Sequence, residues 1–553
     1  MLKPVLLFSF FFIAGFVCAQ VLTEPSIVWQ RCYGGSGTDH FRDAIVTSDG
    51  GVIAIAEFGS NDGFLSEQDS LYYPATLMKF DAEMNLEWVR NYGGTTEGCG
   101  FIKIFEKSNG NFIIAGVSSD TDGDFPINYG SIDIILIEVE NDGDKIWAKN
   151  FGSPGTEDLD SFIPTLDGGY LLTASSNFSG NDIPYHYGES FTNDAIIFKT
   201  DSAGNLSWVK VLGGSNSESF LGDPVEIKRG MYILNLGSAS DDYDLEVSPM
   251  SGVKRWVFEI DSVGNITKEN FISAFLDIKN GDLATVYKNK RIEIIGIGNA
   301  ASPTFPSPSG HLIEEGAIGF IDTGSLELVD LKKWGGSNYD AFKKYCIDEN
   351  GNYYFLGISK SYDFDLPDNY DDGEDFDYWL MSTDSNFNLL WSRNFGGGDD
   401  CGDLGCSGFW GNIVYKNNIL YAFIKNVVPE TFPDSDINCG HPSGAVGFGF
   451  TDAWIVAFDL TTALNNTNPP NNYFSIYPVP ANDILNVDVR FCTPENINVS
   501  VSNLGGQVVY AESMNNTFNY TEAVNVSSLP AGMYIVQLRS NEQITTKSFV
   551  IAR

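Results

Sequence analysis

One short phrase recurs along the chain and restricts its fold more than any other feature. It reads Trp, any residue, Lys or Arg, any residue, a large apolar residue, then Gly and a small residue. Copies stand at 29–35 (WQRCYGG), 88–94 (WVRNYGG), 147–153 (WAKNFGS), 208–214 (WVKVLGG) and 391–397 (WSRNFGG). The first four Trp lie 59, 59 and 61 residues apart, and Trp208 to Trp391 is 183, three further periods of 61. Eroded copies fill the gap, ITKENF at 266–271 and LVDLKKWGG at 328–336. A fixed period of this length is the mark of a repeat architecture.

Each period predicts four short antiparallel strands. In the third, SFIPTL (161–166), YLLTASS (170–176), AIIFKTD (195–201) and LSWVKVL (206–212) are strand-length apolar runs. The turns Asp167-Gly168-Gly169 and Asp201 to Asn205 separate them, and Gly, Asn and Asp supply the positive φ that hairpins need. Four-stranded units that cannot bury both faces alone stack face to face as propeller blades. The chain is therefore expected to be all-β, with a seven-bladed β-propeller over residues 20–464. The first Trp phrase precedes any complete unit, and the last repeat, through DAWIVAFDL (452–460), lacks one. The N-terminal strand should thus complete the last blade.

Alternation along a strand puts Trp88, Arg90 and Tyr92 on one face. An acid recurs just after the glycines, at Asp39, Glu97, Glu157, Glu218, Asp340 and Asp400. The expectation is an ion pair between the recurring base and acid, with the base stacked on Trp. The copies differ most between strands two and three, and sites in repeat proteins sit where copies differ. There Asp120, Asp122 and Asp124 alternate around Gly123 as in oxygen-rich calcium loops, without the distal Glu of an EF-hand. They are the candidate metal ligands. Asp363 and Asp365, with Asp375 and Asp377 downstream, are the second candidates.

Composition sets the compartment. Residues 1–19 read as a signal peptide: Lys3, an apolar run from Val5 to Val17, and Ala19 before Gln20. No other stretch is long and apolar enough to be a transmembrane segment. The net charge of −41 argues against nucleic acid, whose phosphates require Lys and Arg. Seven cysteines beyond the signal, namely Cys32, Cys99, Cys346, Cys401, Cys406, Cys439 and Cys492, are too few for a disulfide scaffold. The four histidines, His40, His186, His311 and His441, form no nucleophile motif, and His40 reads as a surface residue. No catalytic residue is assigned.

NNTNPPNN (465–472) reads as a linker, and the short alternating strands after it, among them ILNVDV (484–489) and INVSVSNL (497–504), predict a small β-sandwich over 473–553. YPVPANDILNV (477–487), NLGGQVVY (503–510), SSLPAGMYIVQL (527–538) and the closing TTKSFVIAR follow one another in order. This segment resembles the type A C-terminal sorting domain of the type IX secretion system, the Por secretion tail, with Val479 where that family has Asn. The resemblance implies a Bacteroidetes-type exporter acting on the tail, and a secreted or outer-membrane-surface protein. The repeats are loosely similar to propeller repeats of such secreted proteins, which names a fold and not an activity. The functional expectation is a non-catalytic binding or adhesion module for a glycan or protein. The alternative is a polysaccharide-degrading enzyme, which a central cluster of two carboxylates with flanking aromatics would mark.

Overall fold

The computed structural model describes residues 24–551, apart from 61, 63, 65–72, 126, 190, 247–253, 274–277, 280–284, 289–290, 300–313, 367–375, 397–410, 427–450, 461–471, 478–483, 504 and 541–543. The expected signal peptide, linker residues 465–471, Asp375, Asp400, Cys401, Cys406, Cys439, His311 and His441 lie outside the described residues. The chain divides into two units, of which Glu24–Thr461 is the larger.

The larger unit is nearly all β. Its described residues form seven antiparallel sheets of a recurrent kind. Sheet 1 is Asp39–Val46, Val52–Phe58, Ala75–Phe80 and Leu86–Tyr92, and sheet 2 is Cys99–Glu106, Phe112–Ser118, Asp133–Val139 and Lys145–Phe151. Sheet 3 is Glu157–Pro164, Tyr170–Ser176, Asp194–Thr200 and Leu206–Leu212. Its second and fourth strands match the sequence reading, whereas its first starts earlier, because Glu157 already pairs with Ser176. Sheet 4 joins Glu218–Phe220 and Val225–Lys228 to Met231–Ser238, Lys254–Ile260 and Ile266–Ser273. Sheet 5 joins Ile278–Lys279 and Thr285–Lys288 to Arg291–Asn299, Glu314–Asp322 and Leu328–Trp334. Sheet 6 is Asp340–Ile347, Tyr353–Ser359, Asp377–Thr383 and Leu389–Phe395. Sheet 7 is Asn412–Lys416, Ile419–Asn426 and Asp452–Asp459, with Ser26–Tyr33 as its outer strand. That N-terminal strand pairs Trp29 with Ala457 and Tyr33 with Ala453.

Successive side chains of a strand point to opposite faces, and here both faces are covered. Ile134 and Leu136 pack with Phe162 and Ile196 of sheet 3, whereas Ile135 and Ile137 pack with Ile53 and Leu77 of sheet 1. The same stacking continues around the unit, and Phe423 and Ile455 of sheet 7 pack on Phe41 and Ala54 of sheet 1. This is a propeller-like arrangement. Middle strands such as Asp133–Val139 are buried along their whole length. Each of four first strands carries an extra residue opposite its partner, Arg42, Ile102, Asp160 and Lys343. Such bulges bend a strand and re-aim its side chains.

The Trp phrase interlocks neighbouring sheets. A Cβ on Gly204, in the turn before the fourth strand of sheet 3, would lie 2.6 Å from the Trp147 ring of sheet 2. Trp88 meets Gly143, and Trp208 meets Gly264, in the same way. The recurring base serves this contact too. Lys149 donates to Asn205 Oδ1 (3.0 Å), Lys268 to the Thr323 carbonyl (3.0 Å) and Arg31 to the Met84 carbonyl, all in the turn of the next sheet. Arg31 and Arg90 also lie over their own Trp rings, at 4.8 and 5.7 Å.

The smaller unit's five described strands join in one hydrogen-bonded sheet. Two of the expected strands are one, Ile484–Asn503, irregular between Arg490 and Glu495. Its first half pairs with Asn472–Tyr477 and its second with Gly532–Arg539, over a core of Val487, Val499, Val501, Val536 and Phe549.

Candidate ligand-binding rim

The loops between second and third strands lie at the same end of each sheet as the Gly-Gly turns, and the two are tied together by carboxylates. In sheet 2's loop, Asp120 Oδ2 accepts the Gly94 N–H (2.9 Å), Asp122 Oδ1 the Thr95 N–H (2.8 Å) and Asp124 Oδ2 the Gly93 N–H (3.2 Å). Three consecutive amides thus meet three alternating carboxylates, in a concave nest of N–H groups suited to negative charge. Asp124 also pairs with Lys145 (2.5 Å). The pattern recurs with Asp242 and Asp244 on Ser215 and Gly213, and with Asp363 and Asp365 on Ser337 and Gly335. Among the described residues, no three His, Cys, Asp or Glu side chains are placed to hold one metal ion.

The acid after the glycines belongs to the same clamp, which corrects the expected ion pair with the recurring base. Asp39 accepts the Gly35 N–H and the Ser60 hydroxyl. Glu218 accepts the Gly214 N–H and the Ser238 and Ser240 hydroxyls, and Asp340 the Gly336 N–H and the Ser359 and Ser361 hydroxyls. Glu97 departs from the series: it is exposed, and Asp120 takes its place on Gly94. A second carboxyl stands beside the clamp in sheets 2 and 3. A Cβ on Gly152 would lie 2.4 Å from an Asp133 oxygen and 2.6 Å from a Glu157 oxygen, so only glycine fits. Asp133 Oδ1 and Asp194 Oδ1 are buried without a hydrogen-bond partner. Burial pushes both carboxyls up to about 7, with Glu157 and Glu218 respectively adding to the effect, and burial likewise holds Asp340 at about 7.

Outward from the clamp, the loops present aromatic rings. Tyr73, Tyr129, Phe178, Tyr185, Phe191, Tyr243, Tyr362 and Phe364 are the exposed aromatic residues of the larger unit among the described residues, and all lie between second and third strands. Tyr187 bridges Tyr185 and Tyr243, at ring-centroid distances of 5.3 and 4.8 Å, joining the loops of sheets 3 and 4.

The first strands gather charge from several sheets. Lys103 pairs with Asp223, Ser161 donates to Asp223 (2.5 Å), and Asn412 donates to Asp43 (2.6 Å). Asp160 accepts the Phe220 N–H (3.2 Å), and burial raises its carboxyl well above the ordinary range, Asp158 adding to the effect. His40 is largely buried against Glu57 (3.2 Å), not a surface residue as its sequence position suggested. Cys32 is disulfide-bonded, and Cys99 and Cys346 are free.

In the smaller unit the quoted motifs form its turns and strands. Asn503 Oδ1 accepts the N–H groups of Gly505 and Gln507, closing the tight turn of NLGGQVVY. Tyr534, in the strand Gly532–Arg539, donates to the Pro530 carbonyl (2.9 Å) across SSLPAGMY. Residues 475–552 match the secretion system C-terminal sorting domain. The sorting domain marks the chain for export by the type IX system to the cell surface or extracellular space. No helix among the described residues is long and apolar enough to cross a membrane. No curated protein matches the chain. Solved structures similar to it include the polysaccharide lyase Uly1, at 10% identity and a TM-score of 0.38, covering 77% of this chain and 91% of that one. Hydrazine synthase of Kuenenia stuttgartiensis is 12% identical with a TM-score of 0.36, covering 75% and 96%. A PL25 ulvan lyase is 8% identical with a TM-score of 0.37, covering 71% and 93%. At such scores these likenesses carry no argument for this chain.

Proposed function

We propose that the chain is a secreted or surface-displayed seven-bladed propeller that binds an extracellular glycan or protein through the rim built by its second-to-third-strand loops. In this reading residues 1–19 are a signal peptide, 20–464 the propeller closed by its N-terminal strand, 465–472 a linker and 473–553 the part handled by the type IX machinery. The observation that carries the binding reading is that, among the described residues, the exposed aromatic side chains of the larger unit are confined to those loops. Aromatic rings left in water on one rim mark an interaction surface. Asp120, Asp122 and Asp124 accept backbone amides, and calcium at the same loop is a separate proposal that calorimetry of the intact protein with calcium tests. A glycan-array and cell-surface-protein screen of the intact protein, read for binding and for product release, tests the proposal. Retention on neither set would end it.

A polysaccharide-degrading enzyme is the second reading, favoured by one observation: Asp160 and Asp158 share a first strand with their carboxyls raised by burial. General acid–base cleavage requires one carboxyl kept protonated near neutrality. Release of reducing ends by the intact protein, abolished in Asp160→Asn, would establish it.

A further inference from the structure

The residue between the two clamping aspartates sits in the left-handed backbone region in each sheet where it is described. It is Gly123 in sheet 2 (φ 69°), Tyr243 in sheet 4 (φ 50°) and Phe364 in sheet 6 (φ 56°). In sheet 3, Asn181, directly before Asp182, holds the same conformation (φ 48°). Gly and Asn are the residues this conformation favours. Tyr243 is strained there, and its ring, 58% exposed, gains little from burial. The clamp itself does not need an aromatic, because Gly123 serves it equally well. What Tyr243 adds is an outward ring beside Tyr187 and Tyr185, the latter 44% exposed. Strain kept at a surface position is a sign of function.

We propose that Tyr185, Tyr187 and Tyr243 form a stacking platform for a polysaccharide that bears no carboxylate or sulfate groups. Tyrosine offers a flat apolar face and a hydroxyl at low entropic loss, which suits the apolar face of a sugar ring and its hydroxyl edge. The absence of acid groups in the ligand follows from charge. Asp242 and Asp244 flank Tyr243, and the whole chain carries −41. An anionic polymer would meet like charge at each of these points. The proposal rests on the rim-binding reading above and names its ligand class.

The test uses the full secreted protein, xyloglucan, galactomannan and mixed-linkage β-glucan as neutral probes, and alginate as the anionic one. Affinity electrophoresis and calorimetry should show binding to at least one neutral polymer, at least ten-fold weaker in both Tyr243→Gly and Tyr185→Ser. Tyr243→Gly relieves the backbone, so its unfolding midpoint should stay unchanged or rise while binding falls. A structural ring would give the opposite, a lower midpoint with binding retained. Unchanged affinity in both variants, or preference of the intact protein for alginate, overturns the proposal. Retention on surface proteins with no binding to any polymer overturns the platform and leaves the binding module standing.

Discussion

At the scale of single residues, carboxylates do two opposite things. Asp120 is fully buried and answers backbone amides. Asp120→Ala should therefore lower stability by about 2 kcal/mol, since buried N–H groups lose their acceptor. The loss should be the same in calcium and in chelator, because the partners lost are amides; a loss seen only in calcium would instead support the metal site. Equal alternation of acids in the sequence could not distinguish amides from a cation as the partner. The signal was nonetheless present: Asp242 with Asp244, and Asp363 with Asp365, repeat the spacing after Gly213-Gly214 and Gly335-Gly336. Asp133, Asp194 and Asp340 lie on the other side, with carboxyls raised by burial to about 7. A raised carboxyl contributes stability below its unfolded value near 4, and that contribution is lost as pH rises through 7. The unfolding midpoint should thus fall between pH 5.5 and pH 8.5, and Asp133→Asn with Asp194→Asn should raise the midpoint at pH 8.5 and flatten the profile. A midpoint independent of pH in the paired variant and parent alike would refute the assignment.

At the scale of elements, the period of about 61 and the turn residues made the strands legible, because hairpins are local and their signals are too. Sheet 3's second and fourth strands end where the apolar runs end. Contacts between sheets were not legible, and so the recurring base was matched to the wrong partner. Its partners are the carbonyls and Asn of the next sheet's turn, a pairing that no spacing within one period reveals. The interlock makes a quantitative expectation. Gly110→Ala meets nothing within 4 Å and should cost about 1 kcal/mol from its positive φ alone. Gly204→Ala adds a collision with Trp147 and should cost about 2 kcal/mol or more. Chemical denaturation of the two variants checks the difference. In the sorting domain, the sequence pattern breaks Ile484–Asn503 at residues 490–496 (RFCTPEN), where the strand in fact continues through an irregularity.

At the scale of the whole molecule, the N-terminal strand's place was foreseen from the orphan Trp29 phrase, and Ser26–Tyr33 does pair with Asp452–Asp459. Removing residues 24–35 should bare the edge of Asp452–Asp459 and lower the unfolding midpoint sharply. A truncation ending at residue 461 should keep that midpoint, yet accumulate in the periplasm of a host with type IX export, because it lacks the sorting domain. Fractionation of cells carrying the two forms checks this, and normal surface delivery of the truncated form would contradict it.

The pairing of Trp29 with Ala457 also sets an order in time. Synthesis delivers the outer strand of the last sheet first and its partner almost last. Until Asp452–Asp459 arrives, Ser26–Tyr33 has nothing to join, and the first and last sheets lack each other's apolar faces. A nascent chain is thus held short of its final state for nearly the whole length of the unit. The unit therefore completes its fold only once nearly all of it has been made, however early its other sheets form.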